Sequence, residues 1–127
     1  MNKRIVFIAP RHAVYDERVV RTVNIAKNYG YCYYMIDKEH YDKIQEKETT
    51  IIKNVKRTLG ENVNILPIPD GKSLRIINRF SKFLYAYRIA KQVKTINPDI
   101  VHIHECGSLG ISISYFIKKF NANSKII

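Results

Sequence analysis

Residues 5–21 read I-V-F-I-A-P-R-H-A-V-Y-D-E-R-V-V-R. Ile5 to Ala9 is an unbroken apolar run, as expected of a strand buried on both faces of a sheet. Further on, Val19, Val23 and Ala26 recur at i, i+4 and i+7 with Val20 beside them, which predicts an amphipathic helix. Asp16 stands where that helix needs an N-cap, and Glu17 puts negative charge in its first turn. Gly30 is expected as the C′ glycine, followed by a second strand over Tyr31 to Ile36. Strand, helix and strand in this order predict a β-α-β unit with parallel strands and a right-handed crossover. The connection from Pro10 to Asp16 has no glycine, so it is no phosphate loop of the usual glycine-rich kind.

The pattern repeats along the chain. Residues 37 to 61 are charged, with Ile51, Ile52, Val55 and Leu59 at helical spacing ahead of Gly60. Val63 to Leu66 reads as a third strand, stopped by Pro67 and Pro69 and a turn at Asp70-Gly71. Ser73 to Asn97 is the longest helical stretch, ended by Pro98. Its early apolar face (Ile76, Ile77, Phe80, Phe83, Leu84, Tyr87) does not line up with its later one (Ala86, Ile89, Ala90, Val93, Ile96). Either the helix changes what it packs against, or two helices meet at a break near Tyr85. Ile100 to Ile103 predicts a fourth strand, Leu109 to Phe120 a helix, and Lys125 onward a fifth strand. The expected fold class is α/β, a Rossmann-like doubly wound parallel sheet with strand order 3-2-1-4-5. Ending inside an apolar strand suggests a fragment of something longer.

The chain has 127 residues, the size of one domain, with 46% hydrophobic and 26% charged residues, a globular composition. No apolar run is long enough to cross a bilayer, and Met1 to Ala9 is too short for a signal peptide, so a soluble, cytoplasmic chain is expected. Cys32 and Cys106 make no metal motif or disulfide framework and are expected as small, partly buried apolar residues. The formal charge of +11 and pI near 9.7 suggest a polyanionic partner: nucleic acid, an anionic membrane surface or a phosphate-bearing substrate.

In a sheet of this order, ligands bind where the order reverses, at the carboxyl ends of strands 1 and 4. The loop Pro10 to Asp16 then faces the loop Glu105 to Ser108. His12 is the sharpest acid/base candidate in the first loop, while Asp16 reads as a cap rather than a catalyst. Arg18 and Arg21, in the first turns of the helix, either reach an acidic ligand or are solvent-exposed. His102 and His104 share one face of the fourth strand and are expected as a packed, hydrogen-bonded pair, not as metal ligands; no metal site is expected. Glu105 is better placed for ligand contact. Gly107 and Gly110 either leave the start of the last helix open to an anion, or ease a turn and allow close packing.

Two stretches together resemble a known family. H-A-V-Y-D-E-R-V-V-R-T-V-N-I-A-K-N-Y-G-Y is similar to the H-x-x-x-D-x-R-V-x-R opening of many family-4-like glycosyltransferases of the GT-B fold. P-D-I-V-H-I-H-E resembles their P-D-[IV]-[VI]-H-x-H-[DE] strand. The resemblance implies the N-terminal, acceptor-side domain, residues 1–127, of a retaining glycosyltransferase in surface polysaccharide synthesis, with its C-terminal donor-binding domain absent from this chain. By position, His12, Asp16 and Arg18 match the first motif, and His102, His104 and Glu105 the second. With the placement of the two loops, His12 and Glu105 are expected as catalytic, and Arg11, Asp16, Arg18, His104, Gly107 and Ser108 as substrate-binding residues. No cofactor is expected on this domain; the nucleotide-sugar donor belongs with the missing one. The expected partners are that donor and a saccharide or lipid-linked acceptor, with no nucleic acid. The departures are Tyr31 where the family often has His, and no Gly-Gly pair after strand 1. The acid-free basic stretch from Lys72 to Lys94 includes Lys72, Arg75, Arg79 and Lys82. It suits an anionic membrane surface and a peripheral place on the inner face of the cell membrane, although a core helix with a solvated basic face is favoured over it. The alternatives are a standalone basic module binding nucleic acid or an anionic membrane surface, and, less favoured, a receiver-like signalling domain.

Overall fold

The computed structural model describes residues 2–12, 15–47, 49–68 and 79–127, Arg79 by its backbone alone. The elements run β1 (Lys3–Ala9), α1 (Glu17–Ala26), β2 (Gly30–Asp37), α2 (Lys38–Glu46), α3 (Thr50–Leu59), β3 (Val63–Ile68), α4 (Arg79–Ile96), β4 (Ile100–Ile103), α5 (Gly107–Phe120) and β5 (Lys125–Ile126). The five strands form one parallel sheet in the order β3-β2-β1-β4-β5, the expected Rossmann-like α/β arrangement.

The strand β1 lies at the centre, paired to β2 on one side and β4 on the other, and helices cover both of its faces. Ile5, Phe7 and Ala9 pack with Tyr34 and Ile36 against α1, α2 and α3. Val6 and Ile8 pack with Met35, Ile68 and Val101 against α4 and α5. An unbroken apolar run is what a strand buried on both faces requires.

Several local readings are corrected by what surrounds them. Gly30 does not cap α1; it opens β2 at the point where the β1 backbone comes closest. A Cβ there lies on the Lys3 carbonyl oxygen, so only glycine fits. Pro67 does not stop β3, which runs to Ile68. Among the described residues β3 is an edge strand with no neighbour beyond it to ask for the missing proline N–H, and the Pro67 carbonyl accepts a bond from Gln92 Nε2 at 3.0 Å. Lys38–Glu46 forms a helix the charged pattern did not announce, begun by Asp37, whose side chain accepts from the Glu39 amide. Cys32 is buried, its thiol pushed up to about 11 by desolvation, whereas Cys106 is exposed instead of partly buried.

The long helix shows what its two misaligned stripes mean. Arg79–Ile96 is one helix, so it changes what it packs against. Tyr85, Ala86, Ile89, Ala90 and Val93 cover the sheet. Phe83 and Tyr87 meet Phe116 of α5 edge-on at 5.4 and 5.6 Å instead, and Phe80 stays 76% exposed. Phe80→Ser is expected to change unfolding free energy by no more than about 0.5 kcal/mol, as at other surface positions. Ile89→Ala, on the buried stripe, should cost roughly 2–5 kcal/mol. Urea denaturation of both variants separates the two; equal losses would show the assignment of faces to be wrong. The turn expected at Asp70-Gly71, together with Pro69, Lys72, Ser73, Arg75, Ile76 and Ile77, lies outside the described residues. No described helix is long and apolar enough to cross a membrane.

Candidate functional site

The carboxyl ends of β1 and β4 bring two loops together, because these adjacent strands send their following helices to opposite faces. The first loop leads into α1. Asp16 accepts the Arg18 amide through Oδ1 at 3.0 Å, the side-chain cap expected from sequence. Its Oδ2 lies 2.8 Å from His12 Nδ1 and 3.5 Å from Arg18 Nη2. The His12 hydrogen bond above all, with help from the Arg18 contacts, holds the Asp16 carboxyl well below the usual carboxylate range against the opposing effect of burial.

The second loop follows β4. His102 Nδ1 and His104 Nε2 share a hydrogen bond at 2.8 Å, with both rings against Phe7 at centroid distances of 5.6 and 6.1 Å. One proton lies between the two nitrogens, so both rings cannot be cationic without placing two N–H groups face to face. Burial pulls both histidines down, His104 to about 4, aided by the charges of His102, His12 and Arg18. The next residue, Glu105, has a side chain only 9% exposed, 3.7 Å from Arg11 Nε.

The start of α5 forms the third side. Gly107 has φ +77 and open space where a Cβ stands in other residues, while a Cβ on Gly110 lies on the Glu105 carbonyl oxygen. Gly107 thus makes the turn and Gly110 permits close packing. The N-cap of α5 is Cys106, whose side chain makes no capping bond.

The loops thus meet through Arg11–Glu105 and through His12, whose ring stands edge-on to His104 at 6.4 Å. Gly107 and Ser108 are exposed beside them. Lys82, in the first half of α4, is partly exposed on the face opposite α1; Lys72, Arg75 and the Arg79 side chain lie outside the described residues. Phe7 and Tyr34 were missed by the sequence reading. They form the floor under the two loops, and burial with the nearby Asp16 charge pushes the Tyr34 hydroxyl well above its ordinary range. Strand alternation was the available signal, since Phe7 and Tyr34 pair in register on one face. A cavity of about 480 Å³ bordered by Lys56, Arg57, Gly60 and Glu61 lies at the opposite end of the sheet, where α3 turns into β3. It touches none of these groups.

No family model and no curated protein matches the chain. Among solved structures, that of AnUbiX (PadA1) in complex with FMN and dimethylallyl pyrophosphate aligns with 99% of this chain and 77% of that chain. Its TM-score is 0.46 and its identity 10%.

The glycosyltransferase resemblance is corrected by these findings: no family model and no curated protein bears it out, and the solved structure that aligns is of AnUbiX (PadA1). With it go the nucleotide-sugar donor, the saccharide or lipid-linked acceptor, polysaccharide synthesis and the membrane surface. The expectation of a domain that binds no cofactor goes too, since it came from the same resemblance. The alternative, a basic module for nucleic acid or an anionic membrane, gains no support either. The physical reason lies in the motif residues themselves. Asp16 caps a helix, and His102 and His104 pack on Phe7. Such duties recur in parallel α/β sheets of unrelated function.

Proposed function

We propose that the chain is the ligand-binding domain of an enzyme that takes a phosphate-bearing small molecule of mononucleotide size at the carboxyl ends of β1 and β4. The observation that carries this reading is the start of α5. Its N-cap has no side-chain bond, its first residue is a glycine at positive φ under open space, and Arg11 stands alongside. A helix N-terminus with its amides and dipole favours an anion, and a neighbouring guanidinium strengthens the preference. The first helix also points its N-terminus at the crevice, but there the Asp16 carboxylate already caps the Arg18 amide. The location is the switch point where doubly wound sheets bind nucleotides.

The test is titration of the labelled chain with inorganic phosphate, FMN and AMP, with riboflavin and adenosine as phosphate-free controls. The phosphate compounds are expected to shift the Gly107 and Ser108 amides, and the controls to leave them in place. Arg11→Ala should weaken binding about tenfold, roughly 1.4 kcal/mol, as for one charge-assisted contact. Cys106→Asp gives the helix the capping carboxylate it lacks. It should stabilise the fold by about 1 kcal/mol while abolishing phosphate binding. Unchanged binding in Cys106→Asp, or equal shifts with adenosine and AMP, would sink the reading.

A further inference from the structure

Asp16 divides its two oxygens between two tasks. Oδ1 accepts the Arg18 amide and closes the first turn of α1, while Oδ2 faces His12 Nδ1 at 2.8 Å. An ionised carboxylate only accepts, so His12 must donate through Nδ1 and carry its proton there. A neutral imidazole has one N–H, which leaves Nε2 with a free lone pair. No described residue bonds to Nε2, and the His12 side chain is 26% exposed. The charged and titratable groups facing this ring are Asp16 and Arg18 at the start of α1 and His104 after β4. Arg11, the residue before His12, reaches Glu105, two positions ahead of α5.

We infer that Asp16 is a positioning residue: it holds His12 as the Nδ1–H tautomer, so that Nε2 is the crevice's hydrogen-bond acceptor for a hydroxyl of a bound phosphate ester. The ligand half of this inference rests on the phosphate reading above. The tautomer half stands without it. The low ionisation range of Asp16 supports both, since the carboxylate is charged at neutral pH.

Long-range proton–nitrogen spectra of the full chain at about pH 8, where an ordinary imidazole is neutral, read the tautomer directly. The wild type is expected to show Nδ1–H at least tenfold over Nε2–H. In D16N the remaining side-chain oxygen is needed by the Arg18 amide, so the NH₂ group turns to His12. The ring must then accept at Nδ1, and the tautomer inverts. An Nε2–H ring in the wild type, or one pattern in both proteins, overturns the inference. For the ligand half, D16N should weaken AMP about tenfold and leave inorganic phosphate unchanged. Parallel loss of both means that Asp16 acts only through α1, which overturns the positioning role. If neither compound binds the wild type, the phosphate reading fails while the spectra still decide what Asp16 does to His12.

Discussion

Gly110→Ala is expected to destabilise the chain by about 1–3 kcal/mol, although alanine is the better helix former. In an unhindered helix this change gains about 1 kcal/mol. Here the new methyl meets the Glu105 carbonyl, a backbone atom that cannot swing aside as a side chain does. Relief requires the first turn of α5 to move away from the end of β4, an overpacking strain of the stated size. The same movement shifts the amides of Gly107 and Ser108, so phosphate binding should fall with stability. Denaturant titration and amide shifts over residues 105–109 measure the two effects. A G110A protein as stable as wild type, with its loop amides unmoved, would mean that the close approach is not real.

Acidification should weaken the fold in two stages. His104 has its folded pKa lowered from 6.5 to about 4, first by burial and then by neighbouring positive charge. A lowered histidine pKa means that the unfolded chain binds the proton more readily. Stability is thus complete above about pH 6.5 and falls as the pH drops towards 4. The loss over this window is on the order of 2 kcal/mol after allowance for partial exposure. His102 acts in the same direction. Asp16 adds a second stage. Its folded pKa is lowered from 3.8, so its contribution is present above that value and disappears at lower pH. His104→Gln should flatten the slope between pH 6.5 and 4 and leave the steeper loss below it. A wild-type stability constant across that upper window would refute the account of the histidine pair.

Much of the fold was legible because its signals are local. The run Ile5 to Ala9 announced a central strand, Asp16 announced a helix start, and the alternation of strands and helices announced a parallel sheet. Even the crevice followed, since strand order alone sets where loops 10–16 and 105–108 meet. Two of the misses share one cause. Gly30 and Pro67 each had a local meaning that a neighbouring element overruled: the β1 backbone and the sheet edge. The two stripes of α4 left two packings open, and the α5 aromatics decided between them.

The two motifs show the same division at the site. Their residue types and spacing were plain in the sequence, and their assignment to a sugar transferase was not sound. A cap, a partly buried ring pair and a tight glycine serve the fold whatever chemistry the sheet carries. The sequence by itself determined the order of elements, the core faces of β1 and the loops that meet at the switch point, because periodicity and chain direction are properties of short stretches. Only the tertiary structure decided that Gly110 serves packing and Gly107 the turn. It alone showed that Asp16 caps α1 and grips His12 at once, and that the amino end of α5 has no side-chain cap. Those facts depend on which atoms the fold brings within hydrogen-bond distance, and spacing along the chain does not encode distance across it.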